Sequence, residues 1–480
     1  MRVVEAAHLI DGELVASRRR FPVVDPALGV AFADCPDAGR EELDRAVTAA
    51  RRALPEWSAL GFDARRGMLN RLAARLREQA EPLSALLTRE QGKPLAAAEA
   101  EIVRTARQIE ELAAIALETE VLREDVRERI ELRYRPIGVV AGIAPWNAPV
   151  ALAMHKVAQA LYTGNCLVLK PSPCTPLTAL AIGALAVDVF PAGVLNILAG
   201  GDALGAWLTG HEGIDKISFT GSVATGRKVM AAAGTGLRRI SLELGGNDPA
   251  IVLDDADLDV AARGIAASAY ANCGQICMAV KRVYTHEAIH DDLVERLTAL
   301  VRAIRVGPGS EAGVTMGPIQ NHMQYERVLG LIAATRAVPG ARFVTGGEVL
   351  PGGGYFVTPA LVTGLPDDAR LVAEEQFGPV LPVLRFSTTT DAVHRANATR
   401  YGLGASIWSR DLARASRLAG QIEAGMVWIN RHGGNEAGLP FGGVKDWGIG
   451  REQGLLGLRS YMEAQTVAIP IQSNQRSVHG

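Results

Sequence analysis

The chain has 480 residues, 48% hydrophobic and 21% charged, with a formal net charge of −2; this size predicts two to four domains around large cores. The balance gives no electrostatic reason to expect nucleic acid or an anionic membrane as partner, and no apolar run approaches the roughly 18 residues of a membrane span. Glu5 and Asp11 interrupt the N-terminus where a signal peptide would be apolar, and five cysteines (Cys35, Cys166, Cys174, Cys273, Cys277) make no disulfide framework in a chain this long, which predicts a reducing, cytoplasmic setting.

Residues 40–119 read as helices, with Leu69, Leu72 and Leu76 at helical spacing and Arg71, Arg75 and Arg77 between them. VLREDVRERIELRYR (121–135) alternates charged and apolar side chains, as an exposed ribbon does. GVVAGIA (138–144) then reads as a strand, VALAMHKVAQALY as a helix ending near Gly164, and CLVLK (166–170) as the next strand. Thr175-Pro176 has the form of an N-cap followed by proline at the first helical position. VLNILAG, KISFTG and RRISLEL repeat the strand pattern with helical stretches between them, which predicts parallel βαβ units. A second α/β series runs from near Pro249 to about residue 447. The β-branched tail TVAIPIQS (466–473) and the 121–135 ribbon read as strands seeking partners, in another subunit or, for the tail, as a frayed end.

The stretch NCGQICMAV (272–280) poses the chemical question. A zinc site needs three or four ligands, and no second cysteine pair or nearby histidine supplies them, so no metal is expected. A dithiol redox pair spaces its cysteines by two residues rather than three. Core filler and nucleophile both remain open for Cys277; Gly274 and Gln275 bend the chain before it, and a strand follows. A free thiol of pKa about 8.5 is only a few per cent thiolate at neutral pH, so a nucleophile needs an oxyanion donor and, for hydrolysis, a base. ELGGN (243–247) offers Glu243, APWNAP (144–149) the Asn147 amide, and FTGSVATG (219–226) a strand end opening a helix whose N–H groups suit phosphate. Singly, each also reads as a turn or a cap.

In order along the chain, PWN (145–147), LKPS (169–172), FTGS (219–222), ELGGN (243–247), GQIC (274–277), EEQFGPV (374–380) and PFGGVKDWGIGRE (440–452) resemble the aldehyde dehydrogenase superfamily over nearly the whole length. The resemblance implies an α/β fold: a Rossmann-like cofactor domain (1–120 and 137–245), an α/β catalytic domain (246–447), and bridging segments (121–136 and 448–480) forming a small β ribbon that joins subunits into a homodimer or homotetramer. It implies that Cys277 attacks a small-molecule aldehyde and Glu243 activates water on the thioester. Asn147 holds the oxyanion with the Cys277 N–H, and Glu452 lies near the proton exit. NAD or NADP is the implied cofactor, with both expected to serve. It would lie against Ile143, Pro145, Trp146, Lys170, Ser172, Pro173, Gly201, Gly221, Ser222, Glu375 and Phe377. The tunnel would comprise Ala148, Leu152, His155, Ala271, Ile276, Met278, Arg431 and Asn435, small or polar where many relatives are aromatic. Two positions depart from the family pattern: Pro173 stands where glutamate is frequent, and Trp447 where serine is. An acylating enzyme that passes the acyl group to coenzyme A would lack Glu243. A non-catalytic relative would have no use for the Cys277, Glu243, Asn147 and Glu375 set.

Overall fold

Two sheets divide the chain. The structure, a computed structural model, describes residues 6–434 and 436–471. The first sheet has eight strands, and its centre is parallel: Arg239–Glu243, Lys216–Thr220, Val139–Ile143, Cys166–Lys170 and Leu195–Ile197 lie side by side in that order. They are buried on both faces almost throughout because helices cover both, as parallel crossovers require. The second sheet has seven strands, and Ala360–Thr363, Val380–Phe386, Val280–His286, Asp248–Val252, Gly404–Trp408 and Met426–Ile429 run parallel within it. Each sheet has its own hydrophobic core. A small third cluster of Leu403, Phe441 and Trp447 has Cys277 and Met278 packed against it. The mixed α/β expectation holds.

The predicted orphan strands find each other within one chain. Glu120–Glu124, Glu128–Pro136 and Met462–Pro470 form a three-stranded antiparallel sheet, and the last pair is in register from Met462 opposite Pro136 to Pro470 opposite Glu128. Gly448–Ile449, grouped with this ribbon from sequence, instead pairs with Arg239–Glu243 at the edge of the first sheet. Residues 472 and 473 of the tail lie outside the described residues.

One local reading is corrected. Helix Leu177–Ala186 is not capped by Thr175; Pro176 is its N-cap and no side chain from that turn accepts its N–H groups. The buried Glu90 carboxylate does so, taking the Leu177 N–H at 2.7 Å and the Thr178 N–H at 2.9 Å. A carboxylate answers two orphan donors and the helix dipole together, which one hydroxyl cannot.

Candidate active site

The C-terminal strand ends of the first sheet face the turn that carries Cys277. Glu243 ends strand Arg239–Glu243, and Thr220 ends its neighbour. Asn147 lies between strand Val139–Ile143 and helix Pro149–Tyr162. Ligands of open α/β sheets bind in this position.

The turn is bent earlier than the glycine suggests. Asn272 and Cys273 already have φ of 51° and 60°, and Gly274 follows at 71°. An added Cβ at Gly274 would stand 2.3 Å from the Gly378 carbonyl oxygen, so this residue must be glycine. Cys273 is buried in the second core, and burial pushes its thiol pKa up; it is inert packing. Cys277 is half-buried, with its Sγ 3.6 Å from Glu243 Oε1. The ELGGN glycines allow this approach: a Cβ on Gly246 would meet the Cys277 carbonyl oxygen at 2.4 Å, and one on Gly245 would meet Glu375 Oε2 at 2.3 Å.

Asn147 Nδ2 donates to the Gln275 carbonyl at 2.9 Å, which leaves its second N–H for a ligand. The Asn147 carbonyl accepts from Asn272 Nδ2 at 2.8 Å and from Lys93 Nζ at 3.2 Å. Lys93 is ion-paired with Glu101, both buried. The Cys277 N–H has no partner among the described residues.

Glu243 is 1% exposed. Burial, then the Glu452 charge, raises its pKa to about 8. Burial also raises the Cys277 thiol, and the Glu243 charge adds to the shift. The Glu243 charge therefore opposes ionisation of the thiol, whereas the hydrogen bond from the thiol favours the Glu243 carboxylate. Thr220 Oγ1 donates to Glu243 Oε2 at 3.0 Å and accepts from Lys156 Nζ at 2.8 Å. Lys156 also reaches Glu452 Oε1 at 2.8 Å. Burial pushes Glu452 up, but the Lys156 ammonium beside it holds it below the usual carboxylate range. A continuous buried polar chain thus links Cys277, Glu243, Thr220, Lys156 and Glu452.

The residues expected at the cofactor gather along the same strand ends. Ile143, Pro145, Trp146, Pro173, Gly201, Gly221, Glu375 and Phe377 are half-buried, Lys170 and Ser172 buried, and Ser222 exposed. Ser222 is the N-cap of helix Val223–Thr235 and accepts the Thr225 N–H at 3.2 Å. Gly201 opens helix Asp202–Gly210. Trp146 and Phe377 meet edge to face at 5.3 Å. Glu375 Oε1 accepts the Gly246 N–H at 2.9 Å. Lys170 is 4% exposed, yet among the described residues its Nζ makes one long hydrogen bond, 3.4 Å to the Pro171 carbonyl. Burial draws its pKa down to about 8. An under-coordinated buried ammonium, two helix N-termini and a carboxylate fit a dinucleotide: anions for the helices and Lys170, ribose hydroxyls for Glu375.

Of the tunnel residues, Ala271, Ile276, Met278 and Arg431 line one cavity of about 410 Å³ that also includes His432 and Trp408. Ala148 and Leu152 are half-buried at the start of an otherwise buried helix and do not line that cavity. His155 does not line it either. It is 3% exposed, clasped between Gln108 Oε1 at 3.0 Å and Gln453 Nε2 at 3.1 Å, and burial draws its pKa down to about 4. Those two partners use both ring nitrogens, so the structure makes it a core histidine. Asn435 lies outside the described residues. Trp447, a departure at sequence level, packs with Leu403 and Phe441. A Cβ on Gly442 or Gly443 would come within 2.7 and 2.8 Å of its ring, so the PFGG glycines make its space.

Four buried side chains near the site carried no recognised signal in the sequence. Lys93 and Glu101 hold Asn147; Lys281, in strand Val280–His286, donates to the Gly274 and Ile276 carbonyls at 2.7 Å each. His432 Nε2 donates to the Met278 carbonyl at 2.9 Å. A charge at an inward position of a buried strand is a usable signal, and Lys281 in VKRVYTH carries it.

Residues 14–467 match the Aldehyde dehydrogenase family. Lactaldehyde dehydrogenase from Escherichia coli is 37% identical, with 96% of this chain and 98% of that one covered and a TM-score of 0.93. An E. coli structure described as an NADP dependent enzyme is 37% identical over 97% of this chain and 98% of that one, with a TM-score of 0.93. Betaine aldehyde dehydrogenase from Staphylococcus aureus, solved with NAD+, is 32% identical over 98% of this chain and 97% of that one, also at 0.93. The chain therefore belongs to the aldehyde dehydrogenase family and oxidises an aldehyde with NAD(P) as electron acceptor.

Proposed function

We propose that this oxidation runs through a thioester on Cys277 that Glu243 hydrolyses, and that the enzyme uses both NAD and NADP. The observation that carries the reading is the 3.6 Å approach of Cys277 Sγ to Glu243 Oε1 at the mouth of an otherwise buried polar chain. The Cys277 thiol loses its proton to solvent, and the thiolate attacks the aldehyde carbon. The Asn147 amide and the Cys277 N–H hold the oxyanion; one such donor is worth about 2.7–4 kcal/mol. NAD(P), when bound by Lys170, Ser222 and Glu375, supplies the hydride acceptor. Glu243 then takes a proton from water attacking the thioester, and Thr220, Lys156 and Glu452 pass the charge change inward. Splitting one hard step into two is the gain of covalent catalysis.

Support for use of both cofactors comes from Pro173, which puts no carboxylate beside Lys170. Similar structures include both an NADP dependent enzyme and an NAD+ complex. The three-stranded ribbon suits a homodimer or homotetramer, because its edges carry exposed Val121, Leu122 and Ile471. Among the described residues no helix is long and apolar enough to cross a membrane, and no group of His, Cys, Asp and Glu could hold a metal; the cytoplasm is the compartment proposed.

Mixing the protein with NAD or NADP, an aldehyde panel, and coenzyme A present or absent tests this directly. Reduced cofactor and free acid are expected without coenzyme A. Strict dependence on coenzyme A would overturn the hydrolytic reading, and no reduction of either cofactor would leave a non-catalytic relative.

A further inference from the structure

We infer that Lys281 is a positioning residue for the oxyanion site: it aims the Cys277 N–H by holding the carbonyl at the other end of the same peptide unit. The inference rests on the catalytic reading above and adds a residue to it.

The peptide joining Ile276 and Cys277 is planar and trans, so its C=O and N–H point in opposite directions. Fixing the oxygen therefore fixes the hydrogen. The Ile276 oxygen is held twice, by Lys281 Nζ at 2.7 Å and by the Ala279 N–H at 3.2 Å. The same ammonium takes the Gly274 oxygen at 2.7 Å, which ties down the left-handed bend two residues upstream. The intervening Gln275 oxygen goes to the Asn147 amide at 2.9 Å, the second oxyanion donor. Both proposed donors are thus locked through adjacent carbonyls of one turn. On the far side of Cys277, His432 holds the Met278 carbonyl at 2.9 Å.

Lys281 is well placed for this task. It is 1% exposed and its Nζ lies 5.2 Å from the Phe377 ring centre, so it has little freedom. Burial lowers its pKa to about 8, which leaves it mainly protonated at neutral pH. A cation on a carbonyl oxygen withdraws electron density through the amide, and the N–H of that unit becomes a better donor. The N–H has no competing partner among the described residues. An apolar side chain in this place would leave the Gly274 carbonyl unanswered and the Ile276 carbonyl held by the Ala279 N–H at 3.2 Å alone, so the peptide could rock.

The test separates oxyanion formation from thiol reactivity. Aldehyde addition builds an oxyanion, whereas alkylation of the thiol by iodoacetamide does not. In Lys281→Met, the pre-steady-state rate of cofactor reduction should fall about 10–100-fold, below the full cost of losing a donor. Alkylation of Cys277 should stay within about threefold of the parent, since the Lys281 charge is the weakest influence on the thiol, behind burial and the Glu243, Asp248 and Glu375 charges. Lys281→Arg, which keeps the cation and its donors, should restore at least about tenfold of the lost rate. Where Lys281→Met does not fold, Lys281→Gln replaces it with the same expectation. Equal losses in both assays would show that Lys281 acts on the thiol and would overturn the proposal; so would an unimpaired burst, or equal rates for the Arg and Met variants. Cys277→Ala, run alongside, separates the two levels. Turnover in that variant sinks the catalytic reading itself. An inactive Cys277→Ala with a normal Lys281→Met burst overturns only the role of Lys281.

Discussion

Glu101→Gln removes one buried charge and almost nothing else. Glu101 Oε1 accepts the Val150 and Ala151 N–H groups at 3.1 Å each, so the carboxylate caps helix Pro149–Tyr162 as well as pairing with Lys93. Lys93 in turn holds the Asn147 carbonyl at 3.2 Å. Glutamine keeps the volume and an oxygen for the two N–H groups. What disappears is the counter-charge for an ammonium whose side chain is 6% exposed. Removing one partner of a buried pair costs about 3–5 kcal/mol, because the remaining ion stays desolvated. Loss of an anion at a helix N-terminus adds about 0.3–1 kcal/mol. Urea unfolding followed by tryptophan fluorescence should show a midpoint well below that of the parent. The burst of reduced cofactor should slow by about tenfold, equivalent to roughly 1.4 kcal/mol, as Asn147 loosens. The double variant Lys93→Met/Glu101→Gln should recover much of the stability, since the stranded ion is gone, but not the burst. An unchanged urea midpoint together with an unchanged burst would refute the reasoning, because the pair would then neither be desolvated nor hold Asn147.

Other outcomes follow from the same geometry. Because burial holds Glu243 at about 8, the base is mostly protonated at pH 7, so turnover limited by hydrolysis should climb between about pH 7 and 9 and then level. Glu243→Gln should give one burst per site, then stall, and lose that alkaline rise; steady turnover at the parental rate would assign the base elsewhere. Pro173→Glu places a carboxylate near Lys170, and like-charge repulsion of about 1–4 kcal/mol against a 2′-phosphate should move the ratio of kcat/KM values at least tenfold toward NAD. A parent that already excludes NADP a thousandfold would refute that argument. Arg431→Ala should cost carboxylate-bearing semialdehydes about 10–100-fold more in kcat/KM than neutral aldehydes, the value of a hydrogen bond to a charge in the cavity it lines; equal losses would make Arg431 structural.

The parts of this architecture visible in the sequence are those written in local pattern. Continuous apolar runs such as VVAGI and CLVLK are strands because both faces are covered, and the alternation of 121–135 is a ribbon because neither face is fully so. Cys277 and Glu243 were legible because their motifs pair a reactive group with glycines that let it approach its neighbour, and Asn147 because APWNAP sets a neutral amide donor at a strand end. What escaped is long-range charge. Glu90 caps a helix 87 residues away, and Glu101 one 49 residues away, and nothing in either local sequence distinguishes them from solvated helix glutamates. His155 reads as polar lining on a helix until Gln108 and Gln453, distant in sequence, are seen to take both its nitrogens. The bend at Asn272 and Cys273 was hidden because a positive φ at two residues other than glycine is a tertiary imposition, not a propensity.

The claim on which everything else depends is that Cys277 carries the acyl group. Glu243→Gln, mixed with excess NAD and an accepted aldehyde, quenched in acid during the burst and digested, allows that group to be located by mass spectrometry. The account predicts one acyl mass per site on Cys277, with Cys273 of the same peptide unmodified, and no such species in Cys277→Ala. A full burst with Cys277 unmodified, or an acyl group on Cys273, would contradict it.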